Sequence, residues 1–443
     1  MSTEVPADLG FDPAGTGPAG WWRELLNIST ISEAAARLEP IGVRTPLQRN
    51  ERLSERYGAD VRLKREDLQA VRSYKIRGAY NFIAGLPRTS GMPAGPGGPG
   101  VVCASAGNHA QGVAWSCRHL GVRGTIFLPR RTPRQKVARI RSIGADQVEV
   151  RFSGSTFDDA ASEAAAYASA TGATMVSAFD HPSTIAGQGT VMLEVVDQLG
   201  APPDVALVPV GGGGLIAGCA ACLDGVGAPT VVIGAQPMGA PGMVCSVAAG
   251  QPVPTDIQDD FVDGAAVRTP GRIPVAVVVD LVREISCVHE GRVCTALLEL
   301  YQEEGIVAEP AGALSIAALD DVAGRIAGKT VVCILSGGNN DVGRYDEIIE
   351  RSLVQRGLKH YFIIEFPQQP GALRRFLDEC LGPHDDITLF EALKRSRREY
   401  GATLVGIELA ERADLEPLLE RMAATGLTIE AVTPGSAIYR YLI

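Results

Sequence analysis

From about Trp21 to residue 355 the chain alternates short apolar, β-branched runs with longer stretches whose apolar residues recur every three to four positions. The runs are "VVCA" from Val101, "GTIFL" from Gly124, "DQVEV" from Asp146, "VALVPV" from Val205, "TVVIGAQ" from Thr230 and "TVVCILS" from Thr330. Runs of this length read as strands and the periodic stretches as helices, so the alternation predicts βα units around a largely parallel sheet. "RTSGMPAGPGGPG" from Arg88 breaks the pattern with Gly and Pro and is a loop by composition. Residues 1–20 are rich in Gly, Pro and Ala and are expected to be poorly ordered.

Near Lys359 the texture changes. "KHYFIIEFPQQPGALRRFLDEC" reads as strand, turn and amphipathic helix, and "DITLFEALKRS" and "ATLVGIEL" as strands; "DLEPLLERMAATG" then reads as helix and "LTIEAV" as a short closing strand. The order β-α-β-β-α-β in so short a span predicts a ferredoxin-like α+β module, a separate domain over residues 356–443 joined after the helix "DEIIERSLVQRG".

Composition narrows the function classes. A chain of 443 residues, 46% of them hydrophobic, exceeds what one core usually serves. The net charge of −10 argues against a nucleic-acid footprint or a basic membrane-binding face and leaves a small molecule as the expected partner. No apolar run approaches the roughly 20 residues that span a bilayer, and the N-terminus lacks the charged and apolar regions of an export signal, so the chain reads as cytoplasmic. The nine cysteines lie scattered in apolar segments and fit buried reduced thiols better than a disulfide framework. Cys219 and Cys222 form a CxxC with no second pair, which fits packing rather than zinc, and His109 has no second histidine at metal-ligand spacing.

Three segments could hold a phosphorylated ligand. In "PVGGGGL", Gly211 to Gly214 directly follow an apolar strand and precede a helix, so successive backbone N–H groups can converge on an anion with the helix dipole behind them. A dinucleotide fingerprint would place an acidic residue about 20 positions on, where Gln236 stands instead, and no Walker lysine follows the glycines. "CASAGNHAQG", Cys103 to Gly112, puts Asn108 near a helix N-terminus, where it either grips a carboxylate or simply caps the helix. "CILSGGNND" ends a buried strand in Ser336, a hydroxyl at the carboxyl edge of a parallel sheet. A fourth segment, "VRSYKIRGAYNF" from Val71 to Phe82, sets Lys75 beside an aromatic residue, as a solvated charge or as a reactive amine.

Taken together, Lys75, the four glycines and Ser336 resemble the fold-type II pyridoxal-phosphate enzymes, most closely the biosynthetic threonine dehydratases. The resemblance runs from about Ile41 to the C-terminus through "TPL" at Thr45, "LKREDLQ" at Leu63, "SYKIRGA" at Ser73, "SAGNHAQG" at Ser105, "GGGGL" at Gly211, "EPAGA" at Glu309 and "LSGGN" at Leu335. It implies a tryptophan-synthase-β-like catalytic domain over residues 21–355, with a small subdomain at roughly 75–178, and an ACT-like regulatory domain after it. Lys75 is implied to be the amine that forms the internal Schiff base with pyridoxal 5'-phosphate and then the base that removes the substrate's Cα proton. Tyr74, standing where the familiar motif has Phe, would pack by the ring; Asn108 would bond the ring oxygen; Gly211, Gly212, Gly213, Gly214 and Leu215 would hold the phosphate. Ser105, Ala106, Gly107 and Asn108 would bind the substrate carboxylate. Ser336 would face the ring nitrogen, a neutral partner that favours prompt β-elimination. Glu309 would order groups near the ring or cap the helix that starts at Pro310.

The implied reaction converts L-threonine, with L-serine as a second candidate, to 2-oxobutanoate and ammonia, the first committed step of isoleucine biosynthesis. "FPQQPGAL", with its turn at Pro370 and Gly371, carries the likeness to the regulatory domain and implies isoleucine as effector, with valine as a possible opponent, on a homo-oligomer, a tetramer by analogy. A purely oligomerising domain is the alternative. A serine racemase would need a second base in the carboxylate loop, where Ala106 stands in place of that family's serine. A catabolic serine/threonine dehydratase would normally lack the C-terminal module, and a non-catalytic amino-acid-binding regulator would have no need of Lys75, the four glycines and Ser336 together.

Overall fold

The computed structural model of the chain describes residues 20–392, 399–433 and 436–442. The expectation of a poorly ordered start falls, up to residue 19, outside the described residues, as does the end of "DITLFEALKRS" from residue 393. In chain order the strands are β1 (Leu47–Arg49), β2 (Asp60–Arg65), β3 (Val101–Ala104), β4 (Gly124–Leu128), β5 (Val148–Phe152), β6 (Thr174–Met175), β7 (Val205–Pro209), β8 (Val231–Pro237), β9 (Glu284–Val288), β10 (Thr330–Leu335), β11 (Lys359–Pro367), β12 (Asp386–Ala392), β13 (Tyr400–Glu408) and β14 (Thr428–Ala431).

They form three sheets. The largest runs β1-β2-β10-β7-β8-β9 and is parallel except for β1. A smaller parallel sheet runs β5-β4-β3-β6. Every residue of β4 and β7 is buried, as expected of strands covered on both faces by the helices of their crossovers. The segment "DQVEV" enters its strand two residues late, because the helix Arg134–Gly144 ends in Ala145 at φ 46 and the turn Ala145–Gln147 uses up the first two positions. The strands without a clear sequence signal were β1, β2, β6 and β9. In β2 the apolar Val61 and Leu63 are interleaved with Arg62, Lys64 and Arg65, which hides a largely buried strand.

The chain divides into two compact units. One takes the chain through Glu290 together with Glu303–Asn340; the other takes Gly291–Gln302 together with the chain from Asp341 on. The second unit therefore starts earlier than residue 356 and includes the helix Tyr345–Arg356, where Tyr301 meets the Tyr345 ring at 5.6 Å and Thr295 bonds Ser352 at 2.9 Å. Its sheet runs β12-β13-β11-β14, antiparallel throughout, over a core of Phe362, Ile364, Phe376, Val405, Ile407 and Leu418. With the helices Ala372–Cys380 and Leu415–Ala424, this is the ferredoxin-like order that the sequence predicts.

In the first unit, close backbone contacts wedge the helix Lys75–Ala84 between two others. A Cβ on Gly78 would stand 2.3 Å from the Gln188 amide and 2.7 Å from the Thr184 carbonyl, one on Gly187 2.7 Å from the Arg77 carbonyl, and one on Gly112 3.0 Å from the Lys75 carbonyl. The helices Asn108–Leu120 and Pro182–Leu199 thus grip the turn that carries Lys75.

Candidate active site

Lys75 is the first residue of its helix, and the loop before it is tied to the end of β10. Tyr74 donates its backbone N–H to the Ser336 carbonyl at 3.1 Å, Gly338 donates to the Arg72 carbonyl at 2.9 Å, and Ser73 bridges Gly337. Arg72 adopts φ 56 to make that bend. The Lys75 amine is half-buried, donates to the Ala178 carbonyl at 3.0 Å and stands 5.2 Å from the centre of the Tyr74 ring. Burial pushes it down to about 8, against the opposing pull of Glu309. The amine thus sits where burial disfavours its charged form, unlike a fully solvated surface lysine.

The residue after Ala178 connects Lys75 to the glycines. A Cβ on Gly212 would lie 2.3 Å from the Phe179 ring, one on Gly214 3.0 Å from the Phe179 backbone, one on Gly213 2.3 Å from the Met243 methyl and one on Gly211 2.9 Å from the Ala265 Cα. Gly211, Gly212 and Gly213 exclude a side chain, and Gly214 admits a Cβ only if the Phe179 backbone gives way. The loop follows β7, and Ser336 follows the neighbouring β10, so the two leave the sheet side by side at the carboxyl ends of adjacent parallel strands. Ser336 Oγ is buried and donates to the Ala311 carbonyl at 3.2 Å.

Asn108 is the first residue of its helix and not its cap; Gly107 holds the cap position and no side chain caps the turn. Its Nδ2 donates to Glu309 Oε1 at 2.6 Å, and its Oδ1 accepts from Asn339 Nδ2 at 2.7 Å. Glu309 likewise does not cap its helix, because its carboxylate turns to Asn108 instead. Burial, followed by nearby Asp263, pushes the Glu309 carboxyl up to about 7, against the hydrogen bonds from Asn108 and the Asn339 backbone and the charge of Lys136. In the loop Ser105 to Asn108, Ser105 Oγ accepts from the Gly107 N–H at 3.2 Å. His109 Nε2 bonds the Val176 carbonyl at 2.9 Å, and burial, with Lys75 nearby, pushes its ring down to about 4. Cys219 and Cys222 are buried in the main core. The turn at Pro370 and Gly371 belongs to the second unit, where Gly371 takes φ 91 at the head of the helix Ala372–Cys380.

The segments around Thr45, Leu63 and Ser73 build a feature that sequence reading missed. Arg77 forks onto Glu66 with two hydrogen bonds of 2.8 Å and reaches Glu194 at 2.7 and 2.9 Å. Lys64 donates to Glu194 at 2.6 Å, and the Thr45 hydroxyl to Glu66 at 2.6 Å. The side chains of Arg77, Glu66 and Lys64 are wholly buried. Burial disfavours ionised Glu66, but Arg77, Lys64 and Thr45 outweigh it and hold the carboxyl below its usual range. The network ties β2 to the Lys75 helix two residues past Lys75. It has little signal in the sequence, because Lys64 and Glu66 stand among Arg62, Arg65 and Asp67 and only the folded chain brings Arg77 and Glu194 to them.

These residues fit pyridoxal phosphate. Four successive glycines, three of which admit no Cβ, offer backbone N–H groups to line a phosphate cradle, Lys75 offers an amine with a depressed proton affinity, and Ser73 Oγ is a buried hydroxyl without a hydrogen-bond partner beside it.

Comparison with known proteins agrees with the geometry. The pyridoxal-phosphate dependent enzyme family matches residues 38–337, and the C-terminal regulatory domain of threonine dehydratase matches residues 350–442. The biosynthetic L-threonine dehydratase IlvA of Mycobacterium tuberculosis (strain ATCC 25618 / H37Rv) is 54% identical over 94% of this chain and 96% of its own, and that of Bacillus subtilis (strain 168) 49% identical over 95% and 98%. The processed form of threonine deaminase isoform 2 from Solanum lycopersicum superposes with TM-score 0.70 at 34% identity, over 76% of this chain and 96% of that one. Maize serine racemase gives 0.66 at 29%, over 75% and 99%. No helix among the described residues is long and apolar enough to cross a membrane. The chain belongs to the pyridoxal-phosphate dependent enzymes and, among them, to the biosynthetic L-threonine dehydratases.

Proposed function

We propose that the chain converts L-threonine to 2-oxobutanoate and ammonia by β-elimination, the committed step toward isoleucine, with pyridoxal phosphate carried on Lys75. The observation that carries the reading is the meeting of the Lys75 amine, the side-chain-free glycine turn and Ser336 at the ends of adjacent parallel strands. When bound, pyridoxal phosphate supplies an electron sink that acidifies the substrate's Cα proton. The N–H groups of Gly211 to Leu215 would hold its phosphate, Ser336 Oγ would face its ring nitrogen, and Tyr74 would stand beside its ring. Ser105 to Asn108 hold the substrate carboxylate at the helix N-terminus. Lys75, freed when the substrate amine displaces it from the cofactor and with its proton affinity lowered by burial, would take the Cα proton as a positioned base. Loss of the β-hydroxyl as water then gives an aminocrotonate, which tautomerises and hydrolyses in solution. A racemase would need a second base on the opposite face, and Ala106 supplies none. A 2-oxoacid assay of the cofactor-loaded Lys75→Ala protein tests the reading: no turnover is expected, and substantial 2-oxobutanoate production would sink it.

The same proposal extends to the whole chain: a catalytic domain over residues 21–355, a regulatory domain over 356–443 that senses isoleucine, a homo-oligomeric assembly and a cytoplasmic setting. The kinship of residues 350–442 with the regulatory domain of threonine dehydratase supports it. Truncation after Gln355 keeps most of the helix that packs on Thr295 and Tyr301. The shortened enzyme is expected to stay active and to ignore isoleucine at concentrations that inhibit the full chain. Full sensitivity in an active truncated enzyme would remove the effector site from the C-terminal module.

A further inference from the structure

The hydrogen bonds around Asn108 close into a ring. Asn339 donates through Nδ2 to the Val71 carbonyl at 2.8 Å and to Asn108 Oδ1 at 2.7 Å; Asn108 Nδ2 donates to Glu309 at 2.6 Å; and the Asn339 backbone N–H returns to the Glu309 carboxylate. An amide can be turned over without changing its shape, so its direction must come from neighbours whose chemistry is unambiguous. Two such neighbours stand here. The Val71 carbonyl can only accept, which obliges Asn339 to face it with Nδ2 and leaves the second Asn339 N–H for an acceptor, Asn108 Oδ1. The Glu309 carboxylate, whenever it is ionised, can only accept and then obliges Asn108 to face it with Nδ2, in agreement with the constraint that the Val71 carbonyl sets through Asn339. Both constraints orient Asn108 the same way. Turned over, Asn108 would set oxygen against carboxylate and N–H against N–H.

Space is reserved for the arrangement as well. A Cβ on Gly337 would fall 2.2 Å from Glu309 Oε1, and the Glu309 backbone N–H is anchored on the Gly337 carbonyl at 3.0 Å. Glu309 is 8% exposed, so water does not compete freely for its carboxylate.

We propose that Glu309 and Asn339 are positioning residues that fix the direction of the Asn108 amide and so aim its one uncommitted N–H at the ring oxygen of the cofactor. The inference rests on the reading of Asn108 as a cofactor ligand. It assigns Asn339, at the end of "LSGGN", a role separate from that of Ser336, and it gives Glu309 a role through Asn108 rather than through the ring itself.

The test is titration of the full-length apoprotein with pyridoxal phosphate, followed by absorbance, for the wild type, Glu309→Ala, Asn339→Ala, Glu309→Gln, Asn108→Ala and the double variants Asn108→Ala/Glu309→Ala and Asn108→Ala/Asn339→Ala. Freeing the Asn108 amide is expected to weaken cofactor binding about tenfold in each of Glu309→Ala and Asn339→Ala, the scale of one oriented hydrogen bond. Glu309→Gln, which still accepts through Oε1, is expected to stay within about threefold of wild type. The deciding readout is coupling: with Asn108 already removed, losing Glu309 or Asn339 is expected to cost no further affinity. Unchanged binding in both single alanine variants, or penalties that add in the double variants, would overturn the inference, because a general packing role adds where a role through Asn108 cannot. If the wild type fails to take up pyridoxal phosphate, or borohydride fails to trap it on Lys75, the functional reading itself falls, and that outcome is distinct from either of the others.

Discussion

Two glycines open two helices with nearly the same backbone: Gly213 at φ 93 ahead of Gly214–Gly225, and Gly371 at φ 91 ahead of Ala372–Cys380. Their surroundings differ. A Cβ on Gly213 would meet the Met243 methyl at 2.3 Å and Pro274 Cβ at 2.6 Å, whereas around Gly371 nothing lies within 4 Å of where a Cβ would stand. The shared backbone explains why both are glycine, since L side chains rarely tolerate that φ. The different enclosure separates a turn whose only available surface is a walled row of N–H groups from one open on its outer side. Half-exposed Leu373 and Leu377 on the helix after Gly371 continue that open character, while the helix after Gly213 is buried from Gly214 through Leu223.

The largest expected effect tests what holds the enclosed region shut. Arg77→Met leaves Glu66 and most of Glu194 as buried carboxylates without their guanidinium, and removing one partner of a buried ion network costs about 3–5 kcal/mol. Chemical denaturation of the apoprotein measures this. A loss below about 1 kcal/mol would mean that the network is hydrated and does not brace the Lys75 helix.

Gly213→Ala comes next, with backbone strain and overpacking acting together. A destabilisation of about 3 kcal/mol is expected, with a loss of pyridoxal phosphate uptake as the N–H row is displaced. Intact uptake in a folded variant would show that the cradle tolerates a side chain.

Lys75 adds a pH-dependent term in the apoprotein. Its proton affinity falls from 10.5 to about 8 on folding, so between those values the unfolded chain binds more protons and stability rises with pH; below about 8 the full penalty applies. Lys75→Met is therefore expected to stabilise the apoprotein at pH 7, on the order of 3 kcal/mol, by an amount that shrinks as pH climbs toward 10. A constant difference across that range would indicate an amine that keeps its ordinary proton affinity in the fold.

Legibility in the sequence followed the same division. The buried strands β4, β7, β8 and β10 announced themselves as unbroken apolar runs, and the glycine turn did so by needing four residues without side chains. What stayed hidden was whatever depends on a partner far along the chain. Lys64 and Glu66 read as surface charges until Arg77 and Glu194 are brought to them, and Asn339 reads as a loop residue until Val71 and Asn108 flank it. The helix-cap readings of Asn108 and Glu309 differ from the structure for separate reasons: Gly107 takes the cap position ahead of Asn108, and Glu309 holds its cap position but turns its carboxylate to Asn108, across 201 positions of sequence. In the C-terminal unit the order of strands and helices was legible from periodicity alone, because its antiparallel sheet buries one face and leaves alternating positions to solvent.

The smallest expected effect is the sharpest test of the contrast between Gly213 and Gly371. Gly371→Ala adds strain at φ 91 without any steric contact, so it is expected to cost about 1 kcal/mol, well below the cost at Gly213. Gly371→Asn is expected to cost less than the alanine variant, because asparagine enters the left-handed region more readily. If strain alone governs the site, hydrogen exchange should quicken in β11 and the helix Ala372–Cys380 while pyridoxal phosphate binds the first unit with unchanged affinity. An alanine penalty as large as at Gly213, or equal penalties for alanine and asparagine, would mean that something covers the turn in the assembled protein, and Gly371 would then be as enclosed as its counterpart.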